Sequence, residues 1–231
     1  MNILALDTAQ NACSVAVMNK AGSAHDDIAR EFEWRPRGHA EVLALMIKRV
    51  MAQAGMSFSD LDLVAVTIGP GSFTGLRVGI ATARGIALAA SIPLIGISSF
   101  EAVAANIEQD KGEALPICVI FDARRGEVYV QLFGADLKAL SRPCACLPTE
   151  VADILPAQKT IAIGSGVELV SEALGSNAQL LVPTAALNVP DAAIIANLAL
   201  VGQPHTQPVE PLYLRAPDAK PQKPPLARQT Q

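Results

Sequence analysis

The chain has 231 residues, with 18 Lys and Arg against 22 Asp and Glu for a net charge of -4, and is 51% hydrophobic but only 4% aromatic. Phosphate neutralisation needs a basic face, so this balance argues against autonomous nucleic-acid binding; no apolar run reaches the ~20 residues of a membrane span. A basic, cleavable leader is also missing at the N-terminus, which makes an α/β protein of the cytoplasm the expectation.

Asn2-Ile-Leu-Ala-Leu-Asp-Thr8 reads as a buried strand, and Ser14-Val-Ala-Val-Met18 follows a polar turn, forming a hairpin with Asp7 at its tip. A third strand is expected within Gly22 to Trp34. Arg35-Pro-Arg-Gly38 breaks the pattern before a helix from about His39 to Ala54. Its Val42, Leu43, Met46, Ile47, Val50 and Met51 recur at helical spacing, and Leu45 adds apolar surface on another side. Leu61 to Ile68 reads as a strand that passes through Gly69-Pro-Gly71 into a helix ending near Ala90, and Pro93 to Ser98 is a short strand.

The second half repeats the plan. Ile117 to Asp122 and Glu127 to Phe133 again place an aspartate at the tip of two apolar strands, so Asp122 is expected to be the equivalent of Asp7. Thr160 to Gly166, followed by a helix from Val167 to Leu174, echoes Val64 to Gly71 and the helix behind it. Repeated units of this kind build two similar lobes facing a cleft. The boundaries expected are 1–100 for the first lobe, 101–216 for the second, and a disordered, proline-rich basic tail over 217–231 with Lys220, Lys223 and Arg228. Cys13, Cys118, Cys144 and Cys146 include no Cys-x-x-Cys pair and read as buried thiols of a reducing compartment.

Gly69-Pro-Gly-Ser-Phe-Thr-Gly-Leu-Arg-Val-Gly79 is the densest motif. A Gly-rich turn between strand and helix suits an anion, yet no Gly-Lys-Ser/Thr follows as a Walker A loop needs. Thr74 occupies the third glycine position of the dinucleotide fingerprint. Gly75, Gly79 and Ala83 recur every four residues and leave one helical face almost bare. Glycine within a helix costs about 1 kcal/mol relative to alanine, so a close compensating contact is expected, either inside the lobe or, as the favoured reading, against another subunit.

The stretch Thr67 to Ala90 resembles the signature of the TsaB (YeaZ) family, and so do Leu4-Ala-Leu-Asp-Thr-Ala9, Arg37-Gly-His-Ala-Glu41, Asp122-Ala-Arg-Arg-Gly-Glu127 and Pro211-Leu-Tyr-Leu-Arg215. The resemblance implies an actin-like (ASKHA, ribonuclease H-like) fold with two lobes of mixed sheet flanked by helices. It further implies a non-catalytic scaffold that pairs with a TsaD-like catalytic subunit, recruits a TsaE-like ATPase, and takes part in threonylcarbamoyl modification of the tRNA adenosine beside the anticodon. ATP and metal would be used by the partners and not by the isolated chain, and tRNA would be reached through the complex. On this expectation His39, Leu43, Met46, Ile47 and Val50 of the first helix and Gly75, Leu76, Gly79 and Ala83 of the second line the partner interface. The same surface would serve a homodimer when the chain is alone.

The titratable residues point the same way. A His-x-x-x-His metal helix of the TsaD type is absent because Leu43 stands four positions after His39, and only His25 and His205 remain. Asp7-Thr8-Ala9 and Asp122-Ala-Arg-Arg125 both lack the glycine of an Asp-x-Gly phosphate turn. Arg124 and Arg125, adjacent at a turn, suit a carboxylate or phosphate across an interface, or plain solvation. Ser72 and Ser165 sit in no Gly-x-Ser-x-Gly elbow, so a peptidase is disfavoured. The alternative enzyme reading is an actin-like ATP-dependent small-molecule kinase, with Asp7 orienting a metal and Gly69 to Gly71 near phosphate.

Overall fold

Apolar residues in the first hairpin run without interruption because both faces of its sheet are covered. A computed structural model describes residues 1–20, 27–108, 114–175, 179–183, 187–202 and 209–215. In it, β1 (Asn2–Asp7) pairs antiparallel with β2 (Ala12–Asn19), which pairs antiparallel with β3 (Asp27–Trp34). Helix α1 (His39–Gln53) leads to β4 (Leu63–Gly69), parallel to β1, and α2 (Phe73–Ala90) leads to β5 (Leu94–Ser98), parallel to β4. Strand order is β3-β2-β1-β4-β5.

Period-two alternation divides this sheet between two cores. Leu4, Leu6, Val15, Val17, Val64 and Val66 face α1 and α2. Ile3, Ala5, Ala16, Met18, Leu63 and Ala65 face a helix from the far end of the chain, α5 (Ala192–Val201), through its Ala192, Ile195, Ala196 and Ala199.

The second sheet has the same order. After α3 (Ser99–Ala104) come β6 (Ile117–Arg124), β7 (Glu127–Phe133), β8 (Cys144–Cys146), β9 (Thr160–Ile163), α4 (Val167–Leu174) and β10 (Leu180–Leu181). The sheet runs β8-β7-β6-β9-β10, with β6-β7 and β7-β8 antiparallel and β6-β9 and β9-β10 parallel. The repeat read from the two Asp-tipped hairpins therefore extends to every strand. It is incomplete in its helices: where α1 stands in the first lobe, a 3-10 turn over Pro148–Asp153 stands in the second.

The strands of the two sheets lie on either side of residue 100, but two helices cross over. α3 places Phe100, Val103 and Ala104 against Ile117, Val119 and Phe121 of the second sheet, while α5, within the expected second lobe, covers the first. Each sheet thus borrows a helix that follows the other's strands, since its remaining apolar face must be buried. Asn106, just beyond α3, donates to the carbonyls of Leu187 (2.7 Å) and Val189 (3.0 Å) and so fixes the lead into α5. Asn106→Ala is expected to lower stability by about 1–2 kcal/mol, measurable by urea denaturation.

The third strand begins at Asp27, and the part expected from Gly22 lies outside the described residues, as does the 217–231 tail. All four cysteines are free, and burial pushes the Cys13 and Cys118 thiols up to about 12, which keeps them protonated and unreactive. No helix among the described residues is long and apolar enough to cross a membrane.

Candidate functional site

At the end of β1, Asp7 is fully buried. Its Oδ1 accepts from Thr67 Oγ1 (2.6 Å) at the end of β4 and from the Ala9 amide (3.1 Å), while Oδ2 is buried without a hydrogen-bond partner. Burial pushes the carboxyl up to about 7, against the lowering effect of the Thr67 and Ala9 bonds; the Asp191 carboxylate raises it further. Asp191 caps α5 by accepting from the Ala193 amide (2.8 Å) and forms an ion pair with Arg30 of β3. Ser14, opposite Asp7 in the hairpin, accepts from the Ala192 amide at 3.0 Å. Ser14 thus ties the hairpin tip to α5, while the hydrogen bonds of Asp7 itself run to β4 and the hairpin turn.

The Gly-rich turn closes on the same hairpin. The Gly69–Pro70 peptide is cis. Beyond it, the Ser72 amide donates to the Ala9 carbonyl (2.7 Å) and Gln10 Nε2 donates to the Pro70 carbonyl (3.0 Å). A Cβ on Gly71 would sit 2.2 Å from the Ala9 carbonyl oxygen. Anion-gripping turns present their amides to a ligand; here the Ser72 amide is bonded to the chain itself.

The bare face of α2 meets that hairpin too. A Cβ on Gly75 would lie 2.1 Å from the Thr8 carbonyl oxygen and one on Gly79 would lie 2.5 Å from Thr8 Oγ1, which donates to the Gly75 carbonyl at 2.7 Å. Leu76 and Ala83 are buried beside them. On α1, His39 is buried with Nε2 3.0 Å from the Gln10 carbonyl, and Leu43, Met46, Ile47 and Val50 are buried in the core under the sheet. All nine positions expected at the interface, side chains or bare, are occupied within their own lobe. Helical spacing shows which residues share a face, not what covers it. The outward faces carry Leu45 on α1 and Leu88 on α2, 55% and 82% exposed. Of these, Leu45 was visible as an apolar residue off the buried stripe.

The second lobe repeats the turn geometry. Arg124's amide donates to Asp122 Oδ1 (2.7 Å) as Ala9's does to Asp7, and the Asp122 amide is held by Ser165 Oγ (3.1 Å). Gly166 donates to the Ile120 carbonyl at 2.9 Å, and a Cβ on Gly164 would meet that same oxygen at 2.2 Å. Unlike Asp7, Asp122 is only half-buried, and it pairs with the Arg124 guanidinium at 3.4 Å. Arg125 and Gly126, with φ of 59° and 78°, form the two-residue hairpin turn, so the arginine pair does sit at the expected turn.

Between the two turn systems lies a cleft of about 420 Å³. Ala9, Gln10 and Ser72 form one wall and Asp122, Arg124 and Ser165 the other. Arg124 thus reaches a cleft, but with a carboxylate already beside it. Among the described residues no group of three or more His, Cys, Asp or Glu side chains is placed to hold a metal; His25 and His205 lie outside them.

A doubled sheet of this order, with a cleft between paired strand-to-helix turns, defines the chain as an actin-like, ribonuclease H-like protein. Residues 33–201 match the family model described as TsaD: tRNA N6-adenosine threonylcarbamoyltransferase. A Haemophilus influenzae protein named tRNA threonylcarbamoyladenosine biosynthesis protein TsaB is 31% identical, the match covering 93% of this chain and 94% of that one. The Escherichia coli protein of the same name is 40% identical over a segment spanning 56% of this chain and about half (53%) of its own length. Two Pseudomonas aeruginosa structures, one of an uncharacterized protein with similarity to peptidase YEAZ and one of YeaZ, superpose with TM-scores of 0.79 and 0.77 at 28% and 27% identity. They cover 93% and 92% of this chain and 99% of their own. The chain belongs to the TsaB (YeaZ) family.

Proposed function

We propose that the chain takes part in tRNA threonylcarbamoyladenosine biosynthesis as a non-catalytic subunit, binding a TsaD-like catalytic partner and through that pair a TsaE-like ATPase. The observation that carries the non-catalytic part is the state of the two turns. The amides of Ser72 and Gly166 donate to the chain's own carbonyls, and Asp7 is sealed in the core. The names of the relatives support the pathway. With a net charge of -4, tRNA is met through the complex, which acts in the cytoplasm, and ATP and metal are used by the partners.

The outward faces of α1 and α2 are the docking surface this reading favours. Leu45 and Leu88 are large apolar side chains left exposed on adjacent helices, and the same faces would pair two copies when the partner is absent. Leu45→Glu combined with Leu88→Glu is expected to weaken the complex at least about tenfold, about 1.4 kcal/mol, with the urea midpoint unchanged. Size-exclusion chromatography and calorimetry with a purified TsaD-like subunit make the test. If the unsubstituted chain forms no complex with that subunit, the scaffold reading fails. Micromolar binding of ATP and magnesium by the chain alone, with hydrolysis abolished by Asp7→Ala, would instead favour the actin-like kinase.

A further inference from the structure

The Pro211-Leu-Tyr-Leu-Arg215 motif does not line the cleft, yet its residues touch both lobes in quick succession. Val209 is buried in the first-lobe core, and its carbonyl accepts from Arg84 of α2. The Leu212 amide donates to the Ile68 carbonyl at 2.7 Å, near the end of β4, and its own carbonyl oxygen would lie 3.0 Å from a Cβ on Gly69. Tyr213 stacks on Phe73 with ring centroids 5.8 Å apart, and its hydroxyl accepts from Arg77 Nε at 3.3 Å. Leu214 then packs into the second-lobe core with Phe100, Phe121 and Phe133. Arg215 closes the series with an ion pair to Glu127 and a hydrogen bond to the Arg124 carbonyl at 3.4 Å.

Both ends of this run are tied beside the cleft. Ile68 precedes the turn that contributes Gly71 and Ser72 to one wall, and Arg124 is part of the other. Three residues of extended chain reach only about 10 Å, so the step from Leu212 to Arg215 limits how far the two rims separate. Opening would break the Leu212–Ile68 bond, strip Leu214 from the second core, or part Arg215 from Glu127. We propose that residues 209–215 are a strap that sets the width of the cleft and holds the lobes at a fixed angle. The assignment rests on the strap's own contacts and stands whether or not the proposed function holds.

The lobe angle is read directly by spin-label distances in the full chain, with labels at Lys48→Cys in α1 and Glu172→Cys in α4, on a Cys144→Ser, Cys146→Ser background. The parent is expected to give one narrow distance distribution. Arg215→Ala should broaden it at least twofold, and Arg215→Lys, which keeps the charge facing Glu127, should restore most of the narrowness. A chain ending after Val209, which lacks Leu212 and Leu214 as well, should be at least as broad as Arg215→Ala. A width unchanged in both variants overturns the proposal; if the shortened chain does not fold, an unchanged width in Arg215→Ala alone overturns it.

Discussion

Replacing Asp7 with asparagine is expected to flatten the stability of the chain between about pH 4 and about pH 7, and to make it more stable than the parent above that range. The sign follows from which state holds the proton. In the unfolded chain Asp7 ionises at its ordinary value of 3.8, whereas in the fold burial raises it to about 7. Between those values the folded state binds a proton that the unfolded state has released. Stability therefore falls as pH rises through the window and levels off above it. At about 1.4 kcal/mol per pH unit, the ionised form is disfavoured by up to about 4 kcal/mol, an upper bound because the Thr67 and Ala9 bonds and local relaxation ease the charge.

Asparagine keeps the oxygen that accepts from Thr67 and Ala9 and removes the charge. Its amide nitrogen would take the place of Oδ2, which has no hydrogen-bond partner, at a cost of about 1–3 kcal/mol for a buried unmet donor. The two effects together predict near equality with the parent at pH 5 and a gain of about 1–3 kcal/mol at pH 8. Urea denaturation of both proteins at pH 5, 6, 7 and 8 decides it. Other carboxylates titrate in both proteins, so the difference between the two curves isolates Asp7. Parallel curves would mean that Asp7 is not the group that burial holds protonated.

Most of the architecture was legible because it rests on local signals. Uninterrupted apolar strands, the polar hairpin turns and the Gly-rich strand-to-helix turn locate β1, β2, β4, β6 and β7 and the helices behind β3, β4 and β9. The equivalence of Asp7 and Asp122 was legible for the same reason and reappears as matching amide bonds to Oδ1. Three-residue β8 offered too short a pattern. α5 left a usable mark in Pro190-Asp191 before ten apolar-rich residues and Gly202. Its docking on the first sheet left none, because a helix apolar on most sides does not declare which surface it covers. What covers the two helical faces was not legible for a related reason. The bare face of α2 and the stripe of α1 were correctly grouped, but a small-residue face fits a neighbouring backbone of its own lobe as well as one from another chain, and here Thr8 supplies it.

Gly75→Ala is accordingly expected to destabilise the lobe, although alanine is the better helix former. A methyl at that position would lie 2.1 Å from the Thr8 carbonyl oxygen. That oxygen is backbone at the end of the most buried hairpin, and it cannot retreat without disturbing the Thr8–Gly75 hydrogen bond and the Asp7 turn beside it. Overpacking typically costs about 1–3 kcal/mol and more where nothing flexible yields, so a net loss of about 3 kcal/mol is expected even after the ~1 kcal/mol gained in helix propensity. Gly85 on the same helix is the control, because nothing lies within 4 Å of a Cβ built there. Gly85→Ala should therefore stabilise by up to about 1 kcal/mol, and the two alanines should move the urea midpoint in opposite directions. Gly79→Leu, whose Cβ would meet Thr8 Oγ1 at 2.5 Å, should likewise unfold the lobe and cannot serve as a selective block on partner binding. Were Gly75→Ala as stable as Gly85→Ala, the close approach of α2 to Thr8 would be wrong, and the small-residue face would again be free to meet another subunit.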